Sequence, residues 1–320
     1  MIPTLSSRAG HDAAVRRLNR LSGQLADVQQ QIATGKKVLK PSDAPVAFAR
    51  AATLKRTDAM AQAQRSAMDA AASRLSASEV ALSGINDMLL RARELALAGA
   101  NDSFNAADRA AMAAEVRELL AGARALAETR GSDGEALFAG TGTPPAYSDD
   151  GDGLAAWAGL GLPPEIATTG RRIAGGLTGP EAFGVTAPLD PLAPPGDPAL
   201  PPPVRVRNLF DSLAHLADTL LDTRPAFFRA GMDEALRALE THGDRLSGGQ
   251  AIIGARLARL EAEAQRLDSN GLARNADLSR LEDTDLAEAV ARLDRLGVVL
   301  DAAQASFARV SRLSLWDQIR

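Results

Sequence analysis

Both ends of the chain carry apolar residues at alternating spacings of three and four, and the stretch between them is built differently. Near the N-terminus the series is Leu18, Leu21, Leu25, Val28 and Ile32. At the C-terminus it is Leu286, Ala289, Leu293, Leu296, Leu300, Ala303, Phe307 and Val310. This spacing keeps a narrow stripe on one helix face, which is the pattern of a coiled-coil seam. The C-terminal stripe spans about 37 Å at about 1.5 Å per residue. Its remaining faces carry Glu288, Arg292, Asp294, Arg295 and Arg309. Each end is thus an amphipathic rod that needs a helical partner.

The 320 residues suffice for two or three domains, but aromatic residues make up only 3% of them, which argues against several large cores. Alanine and leucine carry the burial instead, and with Arg, Glu, Asp and Gln they favour long helices in narrow contact. A net charge of -4 with the signs interspersed leaves no footprint for nucleic acid or an anionic membrane. There is no cysteine, so thiol chemistry, disulfides and cysteine-ligated metals are excluded. Met1 to Arg20 has no apolar core of signal-peptide length, and no run of about 18 apolar residues occurs. Neither a cleavable signal nor a membrane span is expected, and export would need another route.

The apolar periodicity predicts a first helix from about Asp12 to Thr34, ended by Gly35, the residue type suited to the left-handed conformation after a helix. The turn that follows, Gly35-Lys36-Lys37-Val38-Leu39-Lys40-Pro41-Ser42-Asp43-Ala44-Pro45, cannot be helical throughout, because each proline biases the residue before it away from helix. Ser42 or Asp43 is the natural cap of the next helix, with Pro45 in its first turn. One long helix is expected from Val46 to about Leu97, with a seam at Leu75, Ser78, Leu82, Ile85, Leu89, Ala92 and Ala96. Further helices are expected at about Ala106 to Arg130, Val204 to Asp222, Phe227 to Gln265 and Asp283 to Leu313. From about Gly140 to Pro203, glycine and proline crowd together and no helix of ordinary length survives.

The fold class that follows is mainly α: a long antiparallel bundle or coiled coil of the N- and C-terminal segments, with a small irregular, β-rich insert. The expected domains are 1–45, an N-terminal assembly helix and turn; 46–139 and 205–282, the two parts of a helical rod; 140–204, the insert; and 283–320, a C-terminal assembly helix. Ordering a helix costs about 1 to 2 kcal/mol per residue for the backbone alone, and one narrow seam containing alanines does not offset that. The terminal segments are therefore expected to be disordered in the monomer and to fold on assembly.

No site for chemistry emerges. His11, His215 and His242 lie in separate segments with no neighbour at ligand spacing, so they read as solvated or capping. Gly140-Thr141-Gly142 and Gly159-Leu160-Gly161 lack the spacing and the lysine of a phosphate cradle and read as turns. Asp149-Asp150-Gly151-Asp152-Gly153 has no glutamate placed to complete a calcium loop and reads as an acidic turn. Lys36, Lys37 and Lys40 read as solvated, or as paired with carboxylates of a neighbouring subunit. No cofactor, metal or catalytic residue is expected, and the chain is not expected to be an enzyme.

The run Gln31-Ile32-Ala33-Thr34-Gly35-Lys36-Lys37-Val38-Leu39-Lys40-Pro41-Ser42-Asp43-Ala44-Pro45 resembles the flagellin and hook-associated protein family. Gly134 to Thr141 is similar to that family's approach to its outer domain, and Asp283 to Ala289 to the start of its last helix. Gly254 to Leu260 and the ending Leu313-Ser314-Leu315-Trp316-Asp317 also fit. The prolines after Gly35 resemble hook-to-filament junction members more than flagellins. The opening Ile2-Pro3-Thr4, Ala44 in place of a common aspartate, and the terminal Arg320 depart from the junction pattern.

The resemblance implies a structural part of the bacterial flagellum, an adaptor joining hook to filament. It implies extracellular placement after export through the flagellar type III apparatus. The implied partners are other copies of the chain in a ring, a neighbouring hook-associated protein, flagellin, and an export chaperone on the C-terminal helix. The assembly surfaces would be the seams at Leu18, Leu21, Leu25, Val28, Ile32, Leu286, Leu293, Leu296, Leu300, Phe307 and Val310. The turn residues Gly35, Pro41, Ser42, Asp43 and Pro45 would set the angle between the first two helices. A minor flagellin and a cytosolic coiled-coil scaffold are the alternatives, and neither nucleic acid nor membrane is an expected partner.

Overall fold

The structure, a computed structural model, describes residues 3–101, 103–141, 145–149, 155–168, 171–186 and 207–316, with backbone alone at 3–8, 149, 168, 171 and 310–316. Seven helices and four short strands occur among these residues: α1 (Pro3–Thr34), α2 (Pro45–Gly99), α3 (Ala106–Ala127), β1 (Tyr147–Asp149), β2 (Ala155–Trp157), β3 (Glu165–Thr168), β4 (Arg171–Ala174), α4 (Gly179–Phe183), α5 (Leu209–Leu221), α6 (Pro225–Glu282) and α7 (Leu286–Trp316). The chain divides into two compact units, one of residues 1–62 with 268–320 and the other of residues 63–267. Both divisions fall inside a helix, within α2 and within α6.

The second unit holds the conventional core. Every seam position expected on α2 is buried there: Leu75, Ser78, Leu82, Ile85, Leu89, Ala92 and Ala96. α6 answers with Ala235, Leu239, His242, Leu246 and Ile253, also buried and also at helical spacing. α3 packs against α5 and begins with a capping box, in which Asn105 accepts from Ala107 N and Asp108 N while Asp108 reaches back to Asn105 N. Two groups satisfy each other's orphaned donors, so the helix start is sharp. Gly84 allows α2 to approach α3, since a Cβ there would lie 2.8 Å from Leu126 Cδ1.

Between α3 and α5 the chain forms two antiparallel hairpins, β1 with β2 and β3 with β4, and they are not joined to each other. The first is anchored by carboxylates and an amide. Glu128 accepts from Ala146 N and Tyr147 N at 3.0 and 2.8 Å, and Asp211 accepts from Ala155 N at 2.9 Å. Asn208 caps α5 through Asp211 N and donates to Ala155 O. Phe138, Phe183, Phe210 and Tyr147 meet edge to face or tilted, with ring centroids 4.8 to 6.0 Å apart. Such pairs add stabilisation beyond the area they bury. Of the glycine-rich pieces, Gly140 and Thr141 lie beside 159–161, Thr141 N donating to Leu160 O and Leu160 N to Ala139 O, both at 2.9 Å, while Gly142 lies outside the described residues.

Arg74, on α2, is buried, and its Nη2 donates to Ala136 O and Leu137 O at 2.9 and 3.3 Å. It satisfies the carbonyls that lead from α3 toward Phe138, where no helix or sheet supplies a partner. His242 is neither solvated nor capping: it is 4% exposed, with Nε2 3.0 Å from Ser212 Oγ on α5. Burial, and then the nearby Arg245 charge, lower its pKa from the usual histidine value to about 4, so the ring is neutral at pH 7.

Several helix limits differ from the sequence expectation: α5 starts at Leu209 rather than Val204, because Asn208 is its extended cap, and α3 ends at Ala127 rather than Arg130. α1 starts at Pro3 rather than near Asp12, and α7 starts at Leu286 after Asp285, whose carboxylate accepts from Ala287 N and Glu288 N. α6 continues past Gln265 to Glu282 as one helix of 58 residues. In this continuation, within the first unit, Arg274 is held on Asp58 of α2 at 3.0 Å. Residues 187–206, most of the expected polyproline connector, lie outside the described residues.

Candidate assembly interface

The first unit brings the two terminal stripes together. α1 packs along α7, running antiparallel from a common end where α1 stops and α7 starts. Leu18, Leu21, Leu25 and Ile32 are half-buried and Val28 is buried. Opposite them Leu293, Leu296, Leu300 and Phe307 are half-buried and Ala289 is buried, whereas Leu286 remains exposed. At the far end the ring of His11 lies 4.9 Å from that of Phe307. The side chain of Val310 lies outside the described residues. The seam of α2 is fully buried by several neighbours, while the terminal pair covers only one side of each helix.

Apolar surface is left over throughout this unit. Val298 is 70% exposed, Val46 82% and Leu272 73%, and Met60, Val290 and Val299 are also exposed. Scattered exposed apolar residues are ordinary, but here they accompany seams that are themselves half open.

The turn between α1 and α2 is the most polar part of the unit. Gly35 has a φ of 68°, the left-handed conformation that ends α1. Asp43 Oδ2 accepts from Leu39 N and Lys40 N at 3.0 and 2.8 Å, and these backbone hydrogen bonds lower its pKa below the usual carboxylate value. Neither Ser42 nor Asp43 caps α2, because Asp43 is turned back onto its own turn. Ala44 occupies the position before Pro45, and its carbonyl accepts from Phe48 N at 2.8 Å. Pro41, Ser42 and Pro45 are exposed.

Lys36 and Lys37 are bound within the chain, while Lys40 is exposed. Lys36 Nζ lies 3.0 Å from Glu282 Oε2, and Lys55 Nζ, from α2, lies 2.5 Å from Glu282 Oε1. Lys37 Nζ donates to Arg280 O at 2.7 Å. Burial by itself raises the pKa of Glu282, but hydrogen bonds from Lys55 and Lys36 outweigh it and hold the carboxyl below its ordinary value. Glu282 is the residue that sequence reasoning missed. Its partners are 246 and 227 residues away, and its neighbours show only another acid in a polar helix end.

Among the described residues no group of three or more histidine, cysteine, aspartate or glutamate side chains could hold a metal, and no helix is long and apolar enough to cross a membrane. The arrangement in the first unit presents packing surfaces and a polar clamp.

Comparison with known proteins agrees with this geometry. The profile for the bacterial flagellin N-terminal helical region matches residues 6–143, and that for the C-terminal helical region matches residues 236–317. The chain is 24% identical over 297 residues to flagellar hook-associated protein 3 of Escherichia coli K12, covering 90% of each sequence. A flagellar hook-associated protein of Vibrio parahaemolyticus shares the fold with a TM-score of 0.64 at 20% identity, covering 75% of this chain and all of the other. Flagellar hook-associated protein 3 of Legionella pneumophila gives 0.61 at 18% identity, covering 72% and 98%. With both helical regions of the flagellin profile matched, at the two ends that form the paired seams, the chain belongs to the flagellin and hook-associated protein family.

Proposed function

We propose that this chain is a structural adaptor of the bacterial flagellum that joins hook to filament. The observation that carries this reading is the half-open α1 and α7 pair, with apolar surface left uncovered beside it. The relative matched over 90% of both sequences is a hook-associated protein, which favours the junction over the filament. Copies of the chain form a ring in which terminal segments 1–45 and 283–320 order against their neighbours, each stripe gaining the contacts one partner cannot supply. The rod is formed by 46–139 and 205–282, and the insert 140–204 faces outward. The ring meets another hook-associated protein on one side and flagellin on the other, and no reaction is catalysed.

Export through the flagellar type III apparatus suits a chain whose ends are disordered until assembly. Before export, a chaperone covers the apolar stripe of α7 as a helix-in-groove partner. Immunogold electron microscopy of flagellated cells, with antibody raised against residues 140–203, tests the assignment. One band of gold where hook meets filament is expected. Gold along the whole filament would make the chain a minor flagellin, and gold confined to the cell interior would favour a cytosolic scaffold.

A further inference from the structure

Glu282 is the last residue of α6, where the helix dipole disfavours a carboxylate. It is nevertheless buried, 7% exposed, because lysines from two different elements reach its two oxygens. Backbone groups complete the contact. Lys37 N donates to Glu282 O at 2.6 Å and Lys37 Nζ to Arg280 O at 2.7 Å, satisfying two carbonyls at the end of α6 that have no helical donor. In return Thr284 N donates to Gly35 O at 2.8 Å. The turn after α1 thus caps α6, and the link into α7 caps the end of α1.

We propose that these contacts form a clasp that closes in the free subunit, before α1 and α7 pair, and that it fixes the register in which they pair. Half of the clasp is built without the terminal helices, since Lys55 on α2 already meets Glu282 on α6 and Asp58 meets Arg274. Gly35, Lys36 and Lys37 must be brought in on the short tether that joins them to α2, and Thr284 follows two residues after the end of α6. The turn is in this respect an exception to ordering on assembly.

Closure places Ile32 and Ala289 at the same end of the two stripes. His11 and Phe307, the ring pair at the other end, both lie about 35 Å from the clasp at about 1.5 Å per residue. A slip by one helical turn would move these rings apart and displace every seam residue from its opposite. Seams of similar aliphatic residues specify register weakly by themselves, and a polar contact at a single position is the known way to fix it. The effect on ring assembly rests on the function proposed above, whereas closure of the clasp does not.

Hydrogen exchange on the full-length free subunit tests the clasp directly. The amides of Lys37 and Thr284 are expected to be protected at least about tenfold over an open chain. Glu282→Ala should remove that protection at both while the amides around Leu82 and Leu246 stay unchanged. Glu282→Lys combined with Lys36→Glu and Lys55→Glu should restore it in part. Should Glu282→Ala disturb α6 itself, Lys36→Ala with Lys55→Ala gives the same readout with the carboxylate kept. Open-chain exchange at both amides in the unaltered protein, or loss at only one of them in Glu282→Ala, would overturn the proposal. Protected amides in a protein that immunogold places away from the junction would leave the clasp standing and remove the assigned function.

Discussion

The buried histidine of the second unit gives a pH dependence whose size follows from its surroundings. His242 has a pKa of about 4 in the folded protein, lowered from an ordinary 6.5, so the unfolded chain takes up a proton that the folded chain refuses. Stability from this site is complete above about pH 6.5 and falls as the pH drops toward 4, below which both states are protonated and the effect is flat. A shift of about 2.5 units at about 1.4 kcal/mol each is worth about 3 kcal/mol, with about two-thirds of it lost by pH 5. Urea titrations of the full chain with Trp316 replaced by Phe, at pH 7, 6, 5 and 4, followed by the fluorescence of Trp157 in the second unit, measure the loss. Carboxylates with lowered pKa, such as Glu282 and Asp222, also weaken the fold at low pH, so the comparison must be with His242→Gln. Between pH 7 and 4 the unaltered protein should lose about 3 kcal/mol more than that variant. Parallel losses in the two proteins would refute the reasoning, because they would mean that His242 is protonated without opening the contact with Ser212.

Other substitutions test other layers of the structure. Gly35→Ala should cost about 1 kcal/mol through the backbone alone, since nothing lies within 4 Å of the added Cβ, and hydrogen exchange at Lys37 should quicken about fivefold. Phe183→Ala removes a fully buried ring from the aromatic group and should lower urea stability of the second unit by about 3 to 5 kcal/mol. Leu293→Asp should abolish ring assembly seen by electron microscopy while leaving the thermal transition of the second unit in place, and a shift of that transition would contradict the division into two units. Pro41→Ala with Pro45→Ala should weaken ring assembly with the second unit still folded, and unchanged motility and filament retention would refute a role for the turn angle.

Periodicity made much of this architecture readable. The α2 seam was legible because apolar and small residues that recur every three or four positions share a single face only on a helix, and all seven positions are buried. The same signal was present on α6, where His242 stands in line with Leu239 and Leu246. It was missed because a histidine between Thr241 and Gly243 reads as surface. The continuation of α6 beyond Gln265 was hidden for a different reason. Its polar residues are stabilised by partners such as Asp58, distant in sequence, and tertiary contact overrides propensity. The cap of α2 was misassigned because Asp43 can satisfy either the helix ahead or the turn behind, and local sequence does not decide between equivalent donors. Glu282 lay beyond reach altogether, since its identity as a lysine acceptor exists only once residues 246 apart are adjacent.

The distribution of aromatic side chains determines what optical spectroscopy can see. Five of the chain's eleven aromatic residues, Phe138, Phe183, Phe210, Tyr147 and Trp157, sit together in the second unit, with the indole of Trp157 donating to Phe138 O at 2.9 Å. Near-ultraviolet circular dichroism, which needs rings held in a fixed asymmetric setting, will therefore report mainly on that group. α7 carries Phe307 and ends at Trp316, so with Trp316 replaced by Phe the ordering of α1 and α7 will register almost wholly in the far ultraviolet, as a gain of helical amide signal. A structure growing from the Trp316→Phe variant should gain far-ultraviolet signal while its aromatic spectrum stays constant, and the two wavelength ranges then separate joining a neighbour from folding the subunit.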